Sequence, residues 1–464
     1  MQKSPKPPAG IPQELGAEWL PALKACWCLS APLAAAEMAQ TATTFIDAMM
    51  MGWLGEETLA AGALGTVLFH FAITVSSGIV SALSPLVAIA YGAQKLDQMG
   101  SLTRQTLGLA ALLGMLGWIP LWYGEPLLLA LGQSASTAAL ASTYLQAISW
   151  GLVPALAFAV LKNVVTALSR PRPVMLIMVG GTLLNSLGNA VLMFGWFGFP
   201  ELGLAGIGWS STLSFGVMAV ALGLYVLWQP QFQGLQMFWP VHRPDQKTQE
   251  SHWRDLLRIG LPVGGLVAVE FGMFAATALL MGTLGTTPLA AHQMAIQTAA
   301  VAFAVVRGIS YGATVQVGQQ WGAANRPGTR AAGWVALALG SVFMLGVAAV
   351  FWFFPERIVA LFLDIGDEAN QPVVEYACRL LGVAAVFQWV DGGQVIAAGA
   401  LRGLKDTRIP FLIGVLAYWG VGLPTGYWLG FGLGMGGFGL WWGLAIGLTV
   451  AAVILTVRFA RLTR

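Results

Sequence analysis

The sequence predicts an all-α integral membrane protein of twelve transmembrane helices, arranged as two six-helix bundles that repeat each other in parallel. Of its 464 residues, 57% are hydrophobic and 9% are charged, and the mean hydropathy is +0.73. Soluble domains carry about 25% charged residues, so this composition is typical of a membrane protein. Apolar runs long enough to cross a bilayer recur along the chain, which predicts helical spans and not barrel strands.

A sequence repeat divides the chain into two halves. Pro32 matches Pro262 and Gly55 matches Gly285, both at an offset of 230 residues (262 − 32 = 230; 285 − 55 = 230). Each half holds an even number of predicted spans, so both halves begin on the same side of the membrane. The repeats are therefore parallel and related by an axis along the membrane normal. Transporters of this plan bind their substrate near the midplane, between the halves.

The apolar pattern places the helices and the boundaries between domains. The predicted spans are 23–49, 58–84, 102–124, 138–168, 173–194 and 203–228 in the first half, and 256–281, 288–318, 330–354, 371–400, 409–430 and 437–458 in the second. The predicted domains are a disordered tail 1–22, an N-terminal bundle 23–228, a linker 229–255, a C-terminal bundle 256–458 and a tail 459–464.

Charge in the connections predicts the orientation. Basic residues such as Lys95 and Arg170 fall in alternate connections, and acidic residues such as Glu56 and Glu201 fall in the others. The positive-inside rule then places both termini and the linker in the cytoplasm, with the protein in the plasma (inner) membrane. The net charge of +3 is too small to indicate a nucleic-acid partner, and the three cysteines form neither a metal motif nor a disulfide framework.

The sequence shows no nucleotide-binding or catalytic motif, so we expect neither an enzyme nor a bound cofactor. Transport energy would then come from an ion gradient, because one charge crossing 100 mV gains about 2.3 kcal/mol. Ionisable side chains inside the spans are the candidates for binding that ion. The alternatives are a structural hydrogen bond or an ion pair within the bundle.

Asp47 lies in the first predicted span, and Asn185 and Asn189 lie four residues apart in the fifth. That spacing puts both amides on one helical face. Carboxylate and amide oxygens suit a hard cation, so the three residues predict a Na⁺ or H⁺ site in the N-terminal half. The alternative for the two asparagines is hydrogen bonding between helices.

The second half contains Glu270 and Asp391 in apolar spans, which predicts a site for the coupling cation or the substrate. Arg307 lies deep in the eighth span, where it could pair with either acid or line the cavity. Lys162 lies deep in the fourth span and could instead extend toward the cytoplasmic end. His292 begins the eighth span, and we expect it to lie at the interface unless it modulates coupling.

Five separate stretches resemble those of the MATE (multidrug and toxic compound extrusion) transporters, of the NorM-like branch. They are Asp47 with the following GWLGEETLAA, LLNSLGNAVLMFGWFGFPELGLAGIG, PLAAHQMAIQ, VQVGQQWGAANRPG and DGGQVIAAGALRGLKDTRIP. The resemblance covers about residues 25 to 458. It implies a V-shaped MATE/MOP-type fold, in which two bundles open alternately to each side of the membrane, and a protein that is a monomer.

The same resemblance implies a secondary active antiporter, which exports bulky cationic amphipathic compounds in exchange for Na⁺ or H⁺. Asp47, Asn185 and Asn189 match the cation-binding positions of the family's N-terminal half. Glu270 and Asp391 match acidic positions of the C-terminal half in the NorM-like branch.

Several residues depart from the family pattern, among them Val306 at a usual Pro and Gln316 at a usual Arg. Glu37 stands at a position that usually bears an amide, and Arg307 stands where the branch usually has an apolar residue. Both could modulate the site. Arg307 leaves open an alternative function, the export of organic anions such as carboxylic acids. A lipid-linked precursor flippase, a relative in the same superfamily, is a further alternative, but it would require more cavity arginines than this chain offers.

Overall fold

The computed structural model describes residues 19–233, 235, 237 and 251–464, and these residues form α-helices without a β-strand. The N-terminal half contains α1 (Trp19–Trp53), α2 (Glu56–Val80), α3 (Leu83–Gly92), α4 (Leu96–Trp122), α5 (Gly124–Ala130), α6 (Ala135–Ser149), α7 (Leu152–Ala167), α8 (Pro171–Phe194), α9 (Gly203–Trp228) and α10 (Pro230–Gln233). The C-terminal half contains α11 (Trp253–Thr283), α12 (Thr286–Gly322), α13 (Arg326–Phe353), α14 (Pro355–Val359), α15 (Gln371–Gly403), α16 (Arg408–Val415), α17 (Leu423–Tyr427) and α18 (Gly437–Leu462).

The helices agree with the predicted twelve-helix plan. Ten helical segments of the described chain are long and apolar enough to cross a membrane, and the bent pair α6 and α7 supplies an eleventh. Helix α1, at 35 residues, completes the twelve. The fold is therefore an all-α membrane protein, as predicted.

The segment boundaries differ from the sequence prediction at several places. The predicted fourth span is two helices, α6 and α7, bent by 45° at the break around Trp150-Gly151. Helix α1 begins at Trp19, before the predicted start at residue 23, and α18 extends to Leu462. Most of the predicted tail 1–22 and much of the linker 229–255 lie outside the described residues.

The internal repeat is visible in the backbone at the turn between the first two helices of each half. Gly55 has φ 112° and its counterpart Gly285 has φ 117°. A side chain at this φ would be strained, which accounts for glycine at both positions. The two turns thus have the same conformation, 230 residues apart.

The two halves meet through a pair of contacts that the same offset relates. A Cβ atom placed on Gly78 would lie 3.0 Å from Cα of Gly264, and one placed on Gly308 would lie 2.4 Å from the backbone nitrogen of Ala34. The offset of 230 converts Gly78 into Gly308 and Ala34 into Gly264 (78 + 230 = 308; 34 + 230 = 264). Helix α12 therefore packs on α1 as α2 packs on α11, around a pseudo-twofold axis.

A second related pair closes the same side. Gly92 packs against the carbonyl oxygen of Gln319, and Gly322 packs against the carbonyl oxygen of Ile89. All these contacts lie toward the end of the molecule at which α1 begins and α18 ends, which we call the terminal side. The halves are therefore in close contact on the terminal side. We call the opposite end of the molecule the far side.

Each half also has its own interior. Within the C-terminal half, α17 packs so closely on α18 that a Cβ atom on Gly443 would lie 2.2 Å from Cα of Gly426. Two π-helical segments, Leu416–Gly422 and Trp428–Gly432, flank α17. These irregular turns reshape the span that contains Tyr418, described below.

We predict that Gly443→Ala lowers the thermal unfolding midpoint, because the methyl group overlaps the backbone of α17, and overpacking costs about 1–3 kcal/mol. The matched control is Gly216→Ala in α9, where a Cβ atom meets no other atom within 4 Å. There alanine is expected to be neutral or to stabilise by up to about 1 kcal/mol. Fluorescence-monitored unfolding in detergent measures both, and equal midpoints for the two variants would contradict the packing described.

Candidate ion and substrate sites

The structure brings together the three residues predicted to bind a cation in the N-terminal half. Asp47 comes from α1, and Asn185 and Asn189 come from one face of α8. Nδ2 of Asn189 donates to Oδ1 of Asp47 at 2.6 Å and lies 3.4 Å from Oδ1 of Asn185. None of the three residues is more than 9% exposed. The site is thus a buried, hydrogen-bonded set of one carboxylate and two amides, which we call the Asp47 site.

Helix α9 holds the Asp47 site in place. Nδ2 of Asn185 donates to Oγ of Ser211 at 2.9 Å, and Oγ of Ser210 donates to the backbone oxygen of Asn185 at 2.8 Å. The approach of the two helices depends on small residues, since a Cβ atom on Gly188 would lie 2.4 Å from Oγ of Ser210. The amide of Asn185 is therefore fixed before any ligand binds.

One oxygen of the Asp47 site has no hydrogen-bond partner. Oδ1 of Asn189 is buried and accepts no hydrogen bond, and the same holds for Oγ of Ser214 on α9. A buried oxygen without a donor is costly, and a cation or water would satisfy it. The described residues contain no cluster of three or more His, Cys, Asp or Glu side chains suited to a metal ion. This donor set of oxygens fits Na⁺ or H⁺ better than a transition metal.

The C-terminal half has a second buried acidic site. Asp391 on α15 is 3% exposed, and its Oδ1 has no hydrogen-bond partner. The carboxyl of Glu270 on α11 interacts electrostatically with Asp391. Two interacting carboxylates repel each other unless one of them is protonated or a cation binds them.

Three residues of this site were not singled out from the sequence. Gln388 and Gln394 lie three residues to either side of Asp391 on α15, and each has a buried side-chain oxygen without a donor. Tyr418, in the first π-helical segment, interacts electrostatically with both acids, and its hydroxyl adjoins Gln394. The spacing of three residues around Asp391 was the available signal for the two glutamines. The π-helical turn that presents Tyr418 had no such signal.

The partner of Arg307 differs from the one predicted. Its Nε lies 3.0 Å from Oε2 of Glu37, although Arg307 also interacts electrostatically with Glu270. Nζ of Lys162 donates to Oε1 of the same Glu37 at 3.1 Å. Lys162 therefore does not extend toward a membrane surface, because a buried carboxylate attracts it inward. We call this set the Glu37 triad: Glu37, Lys162 and Arg307.

Aromatic and polar side chains surround the Glu37 triad. The Lys162 ammonium lies 5.1 Å from the ring centre of Tyr311, and the Arg307 guanidinium lies 5.7 Å from that of Phe303. His70 on α2 interacts electrostatically with Arg307. The side chain of Arg307 is itself 30% exposed. The Glu37 triad thus lies where α1 of one half meets α12 of the other.

His292 does not lie at the interface as predicted. It is 2% exposed, and its Nδ1 accepts a hydrogen bond of 3.1 Å from Nε1 of Trp441 on α18. The prediction failed because α12 begins at Thr286, so His292 lies almost two turns inside the helix. Its visible role is to tie α12 to α18.

We predict that Asn189→Leu destabilises the protein by about 1–3 kcal/mol, because it removes the amide that donates to Asp47. The matched control is Ser186→Ala on the same helix, whose hydroxyl bonds only to the backbone of Thr182. Thermal unfolding of both variants measures the difference. A loss that persists undiminished in an Asp47→Asn background would contradict the pairing, since coupled residues show non-additive effects.

Comparison with known proteins agrees with this architecture. The MatE family model matches residues 32–191 and 262–428, one segment in each half and more than half of the chain. The chain is 43% identical over 437 residues to a "Probable multidrug resistance protein NorM" of Pseudomonas aeruginosa, covering 94% of this chain and 89% of that protein. It is 40% identical over 433 residues to the protein of the same name in a Synechocystis species, covering 93% of each.

A solved structure shows the same fold at low sequence identity. The crystal structure of the eukaryotic MATE transporter AtDTX14 superposes with a TM-score of 0.85 over 96% of this chain and 99% of that chain, at 22% identity. The match of one family model to both halves, the two bundles and the extended similarity to the NorM proteins lead to one conclusion. The chain belongs to the MatE family.

Proposed function

We propose that this protein is a secondary active antiporter that exports bulky, cationic amphipathic drugs or toxic metabolites in exchange for Na⁺ or H⁺. The observation that carries the proposal is the presence of an incompletely satisfied, buried acidic site in each half. Asp47 with Asn189 forms one, and Asp391 with Glu270 forms the other. The names of the NorM relatives support export of several drugs.

The transport cycle follows from the need to neutralise these acids. With the V open to the far side, a cation enters and binds an acid that would otherwise be buried and uncompensated. A cationic substrate arriving from the other side competes for the same charge. A buried acid that is ionised and has no bound cation is unfavourable, so one ligand leaves only as the other binds. This exchange is antiport. The gradient supplies about 2.3 kcal/mol per charge for each 100 mV.

The proposal includes an orientation and an assembly state. The positive-inside rule places the terminal side in the cytoplasm, so the close contact between the halves lies on the cytoplasmic side of the plasma (inner) membrane. Each bundle has its own interior, and the two meet within one chain. We therefore propose that a monomer is the transporting unit, with the lipid bilayer and a small molecule as its partners.

A second candidate function is the export of organic anions such as carboxylic acids. The Glu37 triad supports it, because one carboxylate between two cations leaves one positive charge where the two halves meet. The geometry favours the cationic substrate more strongly, since Arg307 already has Glu37 as its counter-ion and the open acids lie in both halves. A lipid-linked precursor flippase would require several cavity arginines, and Arg307 is the single arginine of the Glu37 triad.

We predict that ethidium flux in proteoliposomes follows an imposed Na⁺ or H⁺ gradient and that Asp47→Asn reduces it at least about tenfold, because the coupling charge is lost. The matched control is Glu375→Gln, which breaks a surface ion pair with Arg379. This variant is expected to transport like the parent.

The same vesicles separate the candidate functions. Undiminished gradient-driven flux in Asp47→Asn would contradict the assigned role of Asp47. If neither gradient moves ethidium in the folded parent, but a labelled carboxylic acid is transported and Arg307→Ala abolishes that transport, the anion exporter replaces the cation exporter.

A further inference from the structure

Two departures from the family pattern lie in contact with each other. Glu37 belongs to α1 in the N-terminal half, and Arg307 belongs to α12 in the C-terminal half, yet Nε of Arg307 is 3.0 Å from Oε2 of Glu37. Each would be a costly isolated charge at this depth. Together they form an ion pair that crosses the boundary between the halves.

This pair adjoins the closest approach of the two halves. Gly308 follows Arg307 directly and packs on the backbone of Ala34, and Glu37 lies one helical turn beyond Ala34. The ion pair is thus immediately on the far side of the closed contact. It can persist only while α1 and α12 remain together, because any separation of the halves at Ala34 also separates the charges.

The repeat does not duplicate the pair. The offset of 230 places Val267 opposite Glu37 and Ser77 opposite Arg307 (37 + 230 = 267; 307 − 230 = 77). The contact of α2 with α11 therefore has the same backbone geometry and no charge pair. Apolar packing, including the rings of Phe71 and Phe271, closes one of two equivalent contacts, and an ion pair supplements the other.

We propose that the Glu37–Arg307 ion pair is a latch that holds the terminal side closed during the transport cycle. The inference rests on the proposed function, since a latch has a role only in alternating access. Glu37 has a cationic partner whether the latch is closed or open. When the halves separate it keeps Lys162, which belongs to its own half and bonds to its other oxygen at 3.1 Å.

Arg307 also has charges to face when the latch opens. The groups that act on it electrostatically are Glu37, Glu270, Tyr311, Lys162 and His70. Of these, Glu270 and Tyr311 lie in its own half. When the latch opens, Arg307 therefore stays near the carboxyl of Glu270 and is not left as an uncompensated charge in an apolar medium.

The latch predicts different effects for two substitutions that are chemically similar. Arg307→Gln and Lys162→Gln each remove one buried cation from Glu37. Arg307→Gln removes the ion pair between the halves, whereas Lys162→Gln removes a hydrogen-bonded ion pair within one half. Only Arg307→Gln is expected to open the terminal side.

The experiment measures the distance between spin labels on Lys95→Cys and Ala323→Cys, two exposed positions beside the Gly92 and Gly322 contacts. The three native cysteines are replaced by alanine. The parent is expected to show one short distance. Arg307→Gln and Glu37→Gln are expected to add a longer distance, with the closed-to-open ratio reduced at least about tenfold, as for other close charge pairs.

Lys162→Gln and the surface control Glu375→Gln are expected to keep the short distance. Equal opening in Lys162→Gln and Arg307→Gln, or opening in neither, would overturn the latch. Arg307→Gln and Lys162→Gln decide the question even where Glu37→Gln does not fold. The labels report without substrate, so an intact latch effect without ethidium flux would reject only the proposed function, and flux with unchanged distances would reject only the latch.

A separate observation indicates a lipid site on the terminal side. A cavity of about 540 Å³ between α11 and α16 is lined by Arg254, Arg258, Arg408, Leu257, Leu261 and Pro262. The three arginines make no ion pair with a described residue, and no carboxylate lines the cavity. Helix α11 begins at Trp253 and α16 begins at Arg408, so two helix N-termini add positive potential.

The lining has two chemical parts. Guanidinium groups bind phosphate through paired hydrogen bonds, and the leucines beside them offer an apolar surface to a chain. Basic pockets between membrane helices at the cytoplasmic surface hold anionic headgroups. We infer that this cavity binds an anionic phospholipid, with the phosphate on the arginines and an acyl chain along Leu257 and Leu261.

Native mass spectrometry of the full protein with phosphatidylglycerol or phosphatidylcholine tests this site. The parent is expected to retain at least one more phosphatidylglycerol than the triple variant Arg254→Gln, Arg258→Gln, Arg408→Gln. A matched triple variant, Arg170→Gln, Arg172→Gln, Arg326→Gln, removes the same charge elsewhere on the terminal side and is expected to retain it. Equal retention of both lipids by the parent, equal loss in both triple variants, or complete displacement by inorganic phosphate would overturn the lipid assignment.

Discussion

The structure depends on one constraint: a charge inside a membrane requires a partner, and this chain places its partners unequally. Glu37 has two cations, at 3.1 and 3.0 Å. Asp47 has one amide donor, and Oδ1 of Asp391 has none. The fully compensated carboxylate lies where the halves join, and the incompletely compensated ones lie inside each half. Compensation therefore separates a structural charge from those available to a ligand.

The helical plan was predictable because it depends on short-range information. Apolar runs predicted the twelve spans, and the offset of 230 residues predicted a pseudo-twofold axis. The contacts of Gly78 and Gly308 are related by that axis. The bend between α6 and α7 was not foreseen, because the apolar run continues through Trp150-Gly151. Periodicity cannot register a change of helix direction that leaves hydrophobicity unchanged.

The sites were predictable in part, for a related reason. Asn185 and Asn189 share a helical face by spacing alone, and a buried carboxylate such as Asp47 calls for donors of that kind. The pairing of Glu37 with Arg307 depends on which helices meet across the two halves, and the repeat offers no counterpart to reveal it. Sequence identified both residues as departures from the family pattern. Only the packing of α1 on α12 showed that one departure compensates the other.

The central claim is that a cationic substrate and the coupling ion compete for the same buried acids. Equilibrium binding of ethidium to the purified protein, followed by fluorescence anisotropy at varied Na⁺ concentration and at varied pH, tests it most directly. Linkage requires that the two ligands weaken each other reciprocally. The account predicts that ethidium affinity falls as Na⁺ or H⁺ concentration rises, by up to about tenfold for a tenfold rise in that ion. Affinity independent of both ions would contradict it.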